Sequence, residues 1–383
     1  MKISNIKGYV INFAQNPPWG YSKGWVTSAP TLLVEILTDE GIIGWGEAYG
    51  PPKSIYEAIQ SLFPGNIAGA NPFETEKLWS NLRHEIRDHS QGGVAMAAIS
   101  AVDIACWDIK GKALSEPICK LLGGPVRTEL TCYGSAIRYT KDPDESNALQ
   151  DPVQPARVML DQGFSSIKLA IGLLDIRDDL DRIKRIRDFL PSDVALMIDA
   201  NHAYTSRTAI ELAKRLETMD IFWFEDALSQ DDLPGYQSLR RATSISLASG
   251  ETLSGRPAFR DILLGNIFDV LIPEIGLVGG LTEAKKIFDM SDTFGVECTP
   301  HGFASVIGTA AAIQLAASHA PNPSSPVLAS LPFEWTPPPF DRFGNLAVDP
   351  LYYYDGKVEV PLDRPGLGIE IDRNALRALV DHD

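Results

Sequence analysis

Beyond residue 127 the chain alternates short runs rich in β-branched and aromatic residues with longer stretches whose apolar side chains recur every three or four positions. The short runs are 130–136, 165–172, 194–201, 221–227, 245–252, 269–276, 295–302 and 325–332. Stretches between them, such as 179–190, 207–218 and 281–290, carry the spacing of helices that pack one face on a parallel sheet. Eight strand–helix units predict a (β/α)8 barrel of the TIM kind, although no short sequence repeat is present. Before it, strand-like runs at 31–37 and 42–48 flank the turn formers Asp39-Glu40-Gly41, and helical patterns follow, clearest over 96–113. The expected organisation is α/β: an α+β capping domain over 1–127, a modified barrel over 128–332, and a segment 333–383 that returns to the capping domain. That last segment is rich in Pro, Asp, Gly and aromatic residues, among them Pro337-Pro338-Pro339 and Tyr352-Tyr353-Tyr354.

A chain of 383 residues that is 44% hydrophobic buries enough surface for a barrel and a companion domain. Its net charge of −16 argues against nucleic acid and anionic membrane as partners, and no basic run stands out. An anionic small molecule must therefore be held by a local cation. Cys106, Cys119, Cys132 and Cys298 are scattered, as structural thiols of a reducing compartment are. With no signal-peptide pattern at the N-terminus and no apolar run long enough to span a bilayer, a cytoplasmic protein is expected, and a homo-oligomer.

Position carries the chemical signal. Asp199, Glu225 and Glu251 close the third, fourth and fifth runs at a constant spacing of 26 residues, and parallel barrels gather their active sites at strand C-termini. Each acid alone could cap the helix that follows it. Three in register repel one another unless a cation lies between them, and hard oxygen donors favour Mg²⁺. Lys168 on the second run, Glu274 on the sixth and His301 on the seventh add a cation, an acid and a base. Strand alternation places Lys168 with Ala170, and Asp199 with Asn201, on one face. Glu274 stands where it can orient the His301 ring and raise its basicity.

These residues and their neighbours resemble the mandelate racemase and muconate lactonizing subgroups of the enolase superfamily over essentially the whole chain. The matching stretches are Ala101-Val102-Asp103-Ile104-Ala105-Cys106-Trp107-Asp108-Ile109-Lys110-Gly111-Lys112 and Leu121-Leu122-Gly123-Gly124, then Asp199-Ala200-Asn201, Trp223-Phe224-Glu225-Asp226 and Gly250-Glu251-Thr252. The resemblance implies that Asp199, Glu225 and Glu251 bind Mg²⁺, that His301 is the base and Glu274 its partner, and that the reaction removes the proton beside a carboxylate. Asp199-Ala200-Asn201-His202 and Pro365-Gly366-Leu367-Gly368-Ile369-Glu370 are similar to sugar-lactone cycloisomerases. They imply a sugar acid or its lactone as substrate, with β-elimination as a cycloisomerase or an acid-sugar dehydratase, and Asn201 and His202 as substrate contacts.

The chain departs from the pattern in places. The family's second strand usually carries Lys-x-Lys, whereas Lys168-Leu169-Ala170 stands here, which disfavours a two-base racemase and leaves a binding protein that has lost catalysis as the reading of another class. Glu274 replaces the commoner aspartate. The eighth-strand position that often carries glutamate falls at Ala329-Ser330, with Glu334 four residues further on. The segment Asn16-Pro17-Pro18-Trp19-Gly20-Tyr21 is expected ahead of the first hairpin as a lid that brings Trp19 and Tyr21 onto the substrate. Gly276-Leu277-Val278-Gly279-Gly280 reads as a tight helix entry and not as a phosphate cradle.

Overall fold

The computed structural model describes residues 1–89, 91–141, 149–320, 331–338 and 346–380. The N-terminal part consists of strands β1 (Ile3–Tyr21), β2 (Gly24–Thr38) and β3 (Ile43–Ala48) and helices α1 (Pro52–Leu62), α2 (Pro64–Ile67), α3 (Thr75–Glu85), α4 (Val94–Leu114) and α5 (Ile118–Leu121). The strands form an antiparallel meander, and α4 packs across it. Gly44 and Gly46 of β3 allow that approach, because a Cβ at either would lie within 2.2 Å of an α4 carbonyl oxygen.

Next come β4 (Glu129–Ile137), β5 (Tyr139–Thr140), α6 (Val153–Asp161), β6 (Ser166–Ala170), α7 (Ile176–Phe189), β7 (Ala195–Asp199), α8 (Ser206–Leu216), β8 (Ile221–Glu225), α9 (Leu233–Ala242) and β9 (Ser246–Ser249). They are followed by α10 (Gly255–Leu264), β10 (Val270–Leu271), α11 (Ile275–Val278), α12 (Gly280–Thr293), β11 (Glu297–Cys298), α13 (Val306–Ser318) and β12 (Phe333–Trp335). The chain ends in β13 (Tyr353–Tyr354), β14 (Lys357–Glu359) and α14 (Arg373–Leu379).

Parallel strands run in the order β11-β10-β9-β8-β7-β6-β4, with β12 on the other edge of β4. Among the described residues no ladder joins β11 to β12. That seam is bridged by the Thr299 hydroxyl, which donates to the Pro332 carbonyl at 3.2 Å. Inside the strands, Tyr133, Met197, Trp223, Ala248, Val270 and Ile272 form an apolar plug that serves as the floor of the site.

Two expectations change. The eighth strand is Phe333–Trp335, not 325–332, so the segment expected to return to the cap from 333 opens with a barrel strand. Ala329 and Ser330 lie outside the described residues. The segment 16–21 is no loop ahead of a hairpin. It is the far end of β1, with Trp19 opposite Val26 in β2 and opposite Thr140 in β5. Both edges are paired only at Trp19 and Gly20, and the β1–β2 ladder is interrupted between Ala14 and Trp19. The remaining tail does return to the cap: Val380 bridges Ile11, and Gly366 bridges Pro117.

Candidate active site

Cross-strand register assembles the site. Ala170 lies opposite Asp199, and Asp199 opposite Glu225, so three adjacent strands end level at the barrel mouth. The loops that follow turn through left-handed backbone at once, with φ of 40° at Asn201, 64° at His202 and 42° at Asp226, and Gly250 at 135° after β9. Non-glycine residues in this region cost about 1–3 kcal/mol each and collect where side chains must be aimed. The caps of the next helices are Thr205 and Asp232, whose side chains accept backbone N–H bonds, and Ser254. Asp199, Glu225 and Glu251 are therefore not spent on capping.

Lys168 is enclosed by acids, its Nζ lying 2.7 Å from Glu225, 2.9 Å from Glu334 and 3.5 Å from Asp199. Burial works against its charge, but Glu225 and Glu334 outweigh burial and hold the ammonium well above its usual pKa. Such an amine supplies positive charge and does not take up protons near neutrality. The second oxygen of Glu225 accepts from the Trp223 indole at 2.9 Å. Asp199 accepts from the Asn201 backbone N–H at 2.9 Å and from its amide at 3.1 Å.

On the opposite side, His301 Nδ1 lies 2.8 Å from Glu274 and Nε2 lies 3.0 Å from Glu251. The other Glu274 oxygen accepts from the Gly276 backbone N–H at 2.7 Å, which fixes the carboxylate that fixes the ring. Burial lowers the imidazole pKa, yet Glu251, then Glu274, raise it well above its usual value. Burial likewise pushes Glu251 up, and the His301 imidazole overcomes this and holds it at about 2.

Among the described residues, three buried polar atoms here make no hydrogen bond, Asn201 Oδ1, His202 Nε2 and Asp226 Oδ2, although His202 Nε2 lies 3.7 Å from Asp226 and 3.8 Å from Glu251. His202, Asp226 and Glu251 each offer a ligand atom within 4.8 Å of the others. A hard divalent cation suits this mouth, where oxygen donors predominate and several buried polar atoms lack partners. The closest-set donors thus run through His202 and Asp226 to Glu251, while Asp199 and Glu225 stand beside them on Lys168. His202, expected as a substrate contact, faces this cluster and is oriented by the Leu228 carbonyl 3.0 Å from Nδ1.

Trp19 and Tyr21 wall a cavity of about 390 Å³ between cap and barrel together with Tyr49, Glu274 and Phe303. Tyr49 meets His301 edge-on at a centroid distance of 5.9 Å. Arg138, Glu334, Asp226, Tyr49 and Phe303 were not anticipated from the sequence. Asp226 neighbours Glu225, and Arg138 directly follows the first barrel strand, the same position that marked the acids on later strands. Tyr49 stands just past the end of β3 and carries no comparable signal.

Comparison with known proteins agrees with this architecture. The family description "Enolase C-terminal domain-like" matches residues 152–375, and "Mandelate racemase / muconate lactonizing enzyme, N-terminal domain" matches residues 6–123. The D-galactarolactone cycloisomerase of Agrobacterium fabrum is 35% identical over 98% of both chains. The structure of the 3,6-anhydro-D-galactonate cycloisomerase from Zobellia galactanivorans superposes with a TM-score of 0.86 at 33% identity, covering 100% of both chains. A racemase from Streptomyces coelicolor A3(2) with bound magnesium superposes with a TM-score of 0.87 at 25% identity over 99% of this chain and 100% of that one. With a meander cap, a parallel barrel and a mouth of strand-end acids facing a histidine, the chain belongs to the enolase superfamily, in its mandelate racemase/muconate lactonizing branch.

Proposed function

We propose that this enzyme removes the proton α to the carboxylate of a sugar acid or sugar-acid lactone and then eliminates the oxygen at the β carbon, acting as a cycloisomerase. The observation that carries the reading is the His301 ring, oriented through one nitrogen by Glu274 and turned through the other toward the acid cluster. In this reading His301 is the base, and Glu274 is a positioning residue. Asp199, Glu225 and Glu251 hold Mg²⁺, with His202 and Asp226 beside them. When bound, the ion disperses the negative charge that builds on the substrate carboxylate as the proton leaves. Lys168, kept charged by Glu225 and Glu334, supports the same carboxylate electrostatically, Asn201 contacts the sugar, and Trp19 and Tyr21 close the cavity against water.

Ala170 offers no amine opposite His301, so proton transfer occurs at one face, which suits elimination and not racemisation. The test is incubation of the Mg²⁺-loaded enzyme with sugar acids and their lactones in D₂O, followed by NMR. One new 2-oxo product per reactive substrate, with activity lost in EDTA, is the expected result. Water released from an open-chain acid assigns a dehydratase instead. A panel without exchange or product, or turnover unchanged in excess EDTA, rejects the reading.

A further inference from the structure

The cap strand that supplies Trp19 and Tyr21 is held on its outer edge by a very short ladder. β5 meets β1 at two positions only, Tyr139 opposite Gly20 and Thr140 opposite Trp19, and so small a pairing needs packing around it to persist. We propose that the buried carboxylate of Asp179, in the first turn of α7, is a positioning residue that fixes this pairing against the barrel and so sets the Trp19–Tyr21 wall of the cavity. The inference rests on the substrate site proposed above and adds to it a residue outside the cavity wall.

Asp179 is fully buried and gathers donors from three separate segments. One oxygen accepts from the Tyr139 hydroxyl and lies 3.4 Å from Arg182 Nη1. The other accepts from the Gly172 backbone N–H at 2.8 Å and from the Tyr204 hydroxyl at 3.4 Å. Tyr139 belongs to β5, Gly172 follows the Lys168 strand β6, and Tyr204 stands in the turn after β7 that carries Asn201 and His202. Arg182 balances the acid and closes the group. Its Nη1 donates to the Ala170 carbonyl at 3.0 Å, and its guanidinium carbon lies 3.8 Å from the centre of the Tyr139 ring. Burial pushes the Tyr139 phenol well above its ordinary pKa, against the pull of Arg182, so it remains a donor.

From Tyr139 the contacts run to the cavity. Gly20 has no room for a side chain, since a Cβ would lie 2.7 Å from the Leu173 side chain and 3.2 Å from the Tyr139 Cβ. The Leu173 backbone N–H in turn donates to the Tyr139 hydroxyl at 3.3 Å. Next to Tyr139, the Arg138 guanidinium lies 4.2 Å from the centre of the Trp19 ring, and Trp19 and Tyr21 wall the cavity. The same hairpin is tied down a second time where the Ser22 hydroxyl donates to the Asn201 carbonyl at 2.6 Å. Burying a carboxylate costs far more than burying an apolar side chain of its size, and an apolar side chain here would choose no position for β5. The directed bonds of Asp179 specify where the cap strand stops relative to the ends of β6 and β7.

The test is backbone hydrogen–deuterium exchange of the Mg²⁺-loaded enzyme, read by mass spectrometry, because amide exchange reports local opening. Tyr139→Phe removes the hydroxyl and keeps the ring on Arg182, and Asp179→Asn removes the charge at constant size. Ile186→Val, which trims the buried face of the same helix, supplies general destabilisation without touching the carboxylate. Both network variants are expected to accelerate exchange over residues 16–24 and 170–175 by roughly ten- to a hundredfold, the range of a hydrogen bond to a charged group. Exchange in α4 and β8 stays as in the wild type. For each sugar acid that reacts in D₂O, KM rises in both variants with kcat unchanged, the mark of lost uniform binding, and Ile186→Val moves neither. Wild-type exchange over residues 16–24, acceleration spread evenly as in Ile186→Val, or a reacting sugar acid whose KM stays constant overturns the inference. The amides are read without turnover, so failure of every sugar acid to react condemns the proposed reaction, while the exchange pattern alone decides the role of Asp179.

Discussion

His301 meets a carboxylate at each ring nitrogen, and that double attachment determines what a substitution there does. Asparagine keeps a donor for Glu274 but cannot take up a proton. His301→Asn is expected to slow α-proton exchange in D₂O by roughly 10²–10⁴, the usual contribution of a general base, with Mg²⁺ binding retained in calorimetry. Exchange at the wild-type rate would remove His301 from the role. Most of these residues were legible in sequence because a parallel barrel places its chemistry at strand ends, so acids at constant spacing announce themselves. Glu334 was not recognised, because the apolar run at 325–332 reads as the eighth strand and leaves the glutamate beyond it. It lies on that strand, within 2.9 Å of Lys168. Arg138 was missed for another reason: it lies two residues beyond the run 130–136, whereas the first barrel strand extends to Ile137 and Arg138 directly follows it.

At the level of elements, the short runs translated directly into β6 to β9, since buried parallel strands are continuous apolar stretches. The far end of β1 did not, because Asn16-Pro17-Pro18 reads as a loop, and only pairing with β2 and with the distant β5 makes it a strand. The docking of α14 is a further tertiary fact without a local signal. Glu35 of β2 accepts from the Tyr9 hydroxyl at 2.7 Å and from Arg373 of α14. Burial raises the Glu35 pKa, but the bonds from Arg373 and Tyr9 prevail and hold it below its ordinary 4.5. A lowered carboxylate pKa stabilises the fold above that ordinary value and ceases to do so as the pH falls through the folded-state value. Arg373→Ala is therefore expected to cost at most about 1 kcal/mol near neutrality, since the pair is partly solvated. The difference from wild type in urea unfolding should vanish at pH values well below 4.5. An equal difference at both pH values would show that Arg373 acts through packing on Trp45, whose ring lies 4.6 Å from the guanidinium, and not through charge.

Over the whole molecule, cap and barrel are joined by buried acids. Glu47 of β3 accepts from the Ser305 backbone N–H at 2.9 Å, the Ser305 hydroxyl at 2.6 Å and the Gly308 backbone N–H at 2.8 Å, all at the start of α13. Asp103 of α4 accepts from the Thr282 backbone N–H at 2.9 Å, whereas Asp108 accepts at 2.9 Å from Trp45 within the cap and from Leu367 and so ties the returning tail to the cap. Both aspartates belong to the stretch that marked the family in sequence, and their work here is docking. Glu47→Ala leaves three buried donors unanswered at about 1–3 kcal/mol each, so a loss on the order of 3–5 kcal/mol is expected. Urea unfolding followed by tryptophan fluorescence should show it as one transition moved to lower denaturant, and an unmoved midpoint would contradict it. Much of the docking is addressed to main-chain N–H groups, which any residue except proline provides. The barrel can thus exchange side chains in the loops that choose its substrate without forfeiting its grip on the cap, while the cap must keep two acids, Glu47 and Asp103, in place. Mutational freedom is in this way distributed unequally between the two parts, with the larger share given to the part that meets new substrates.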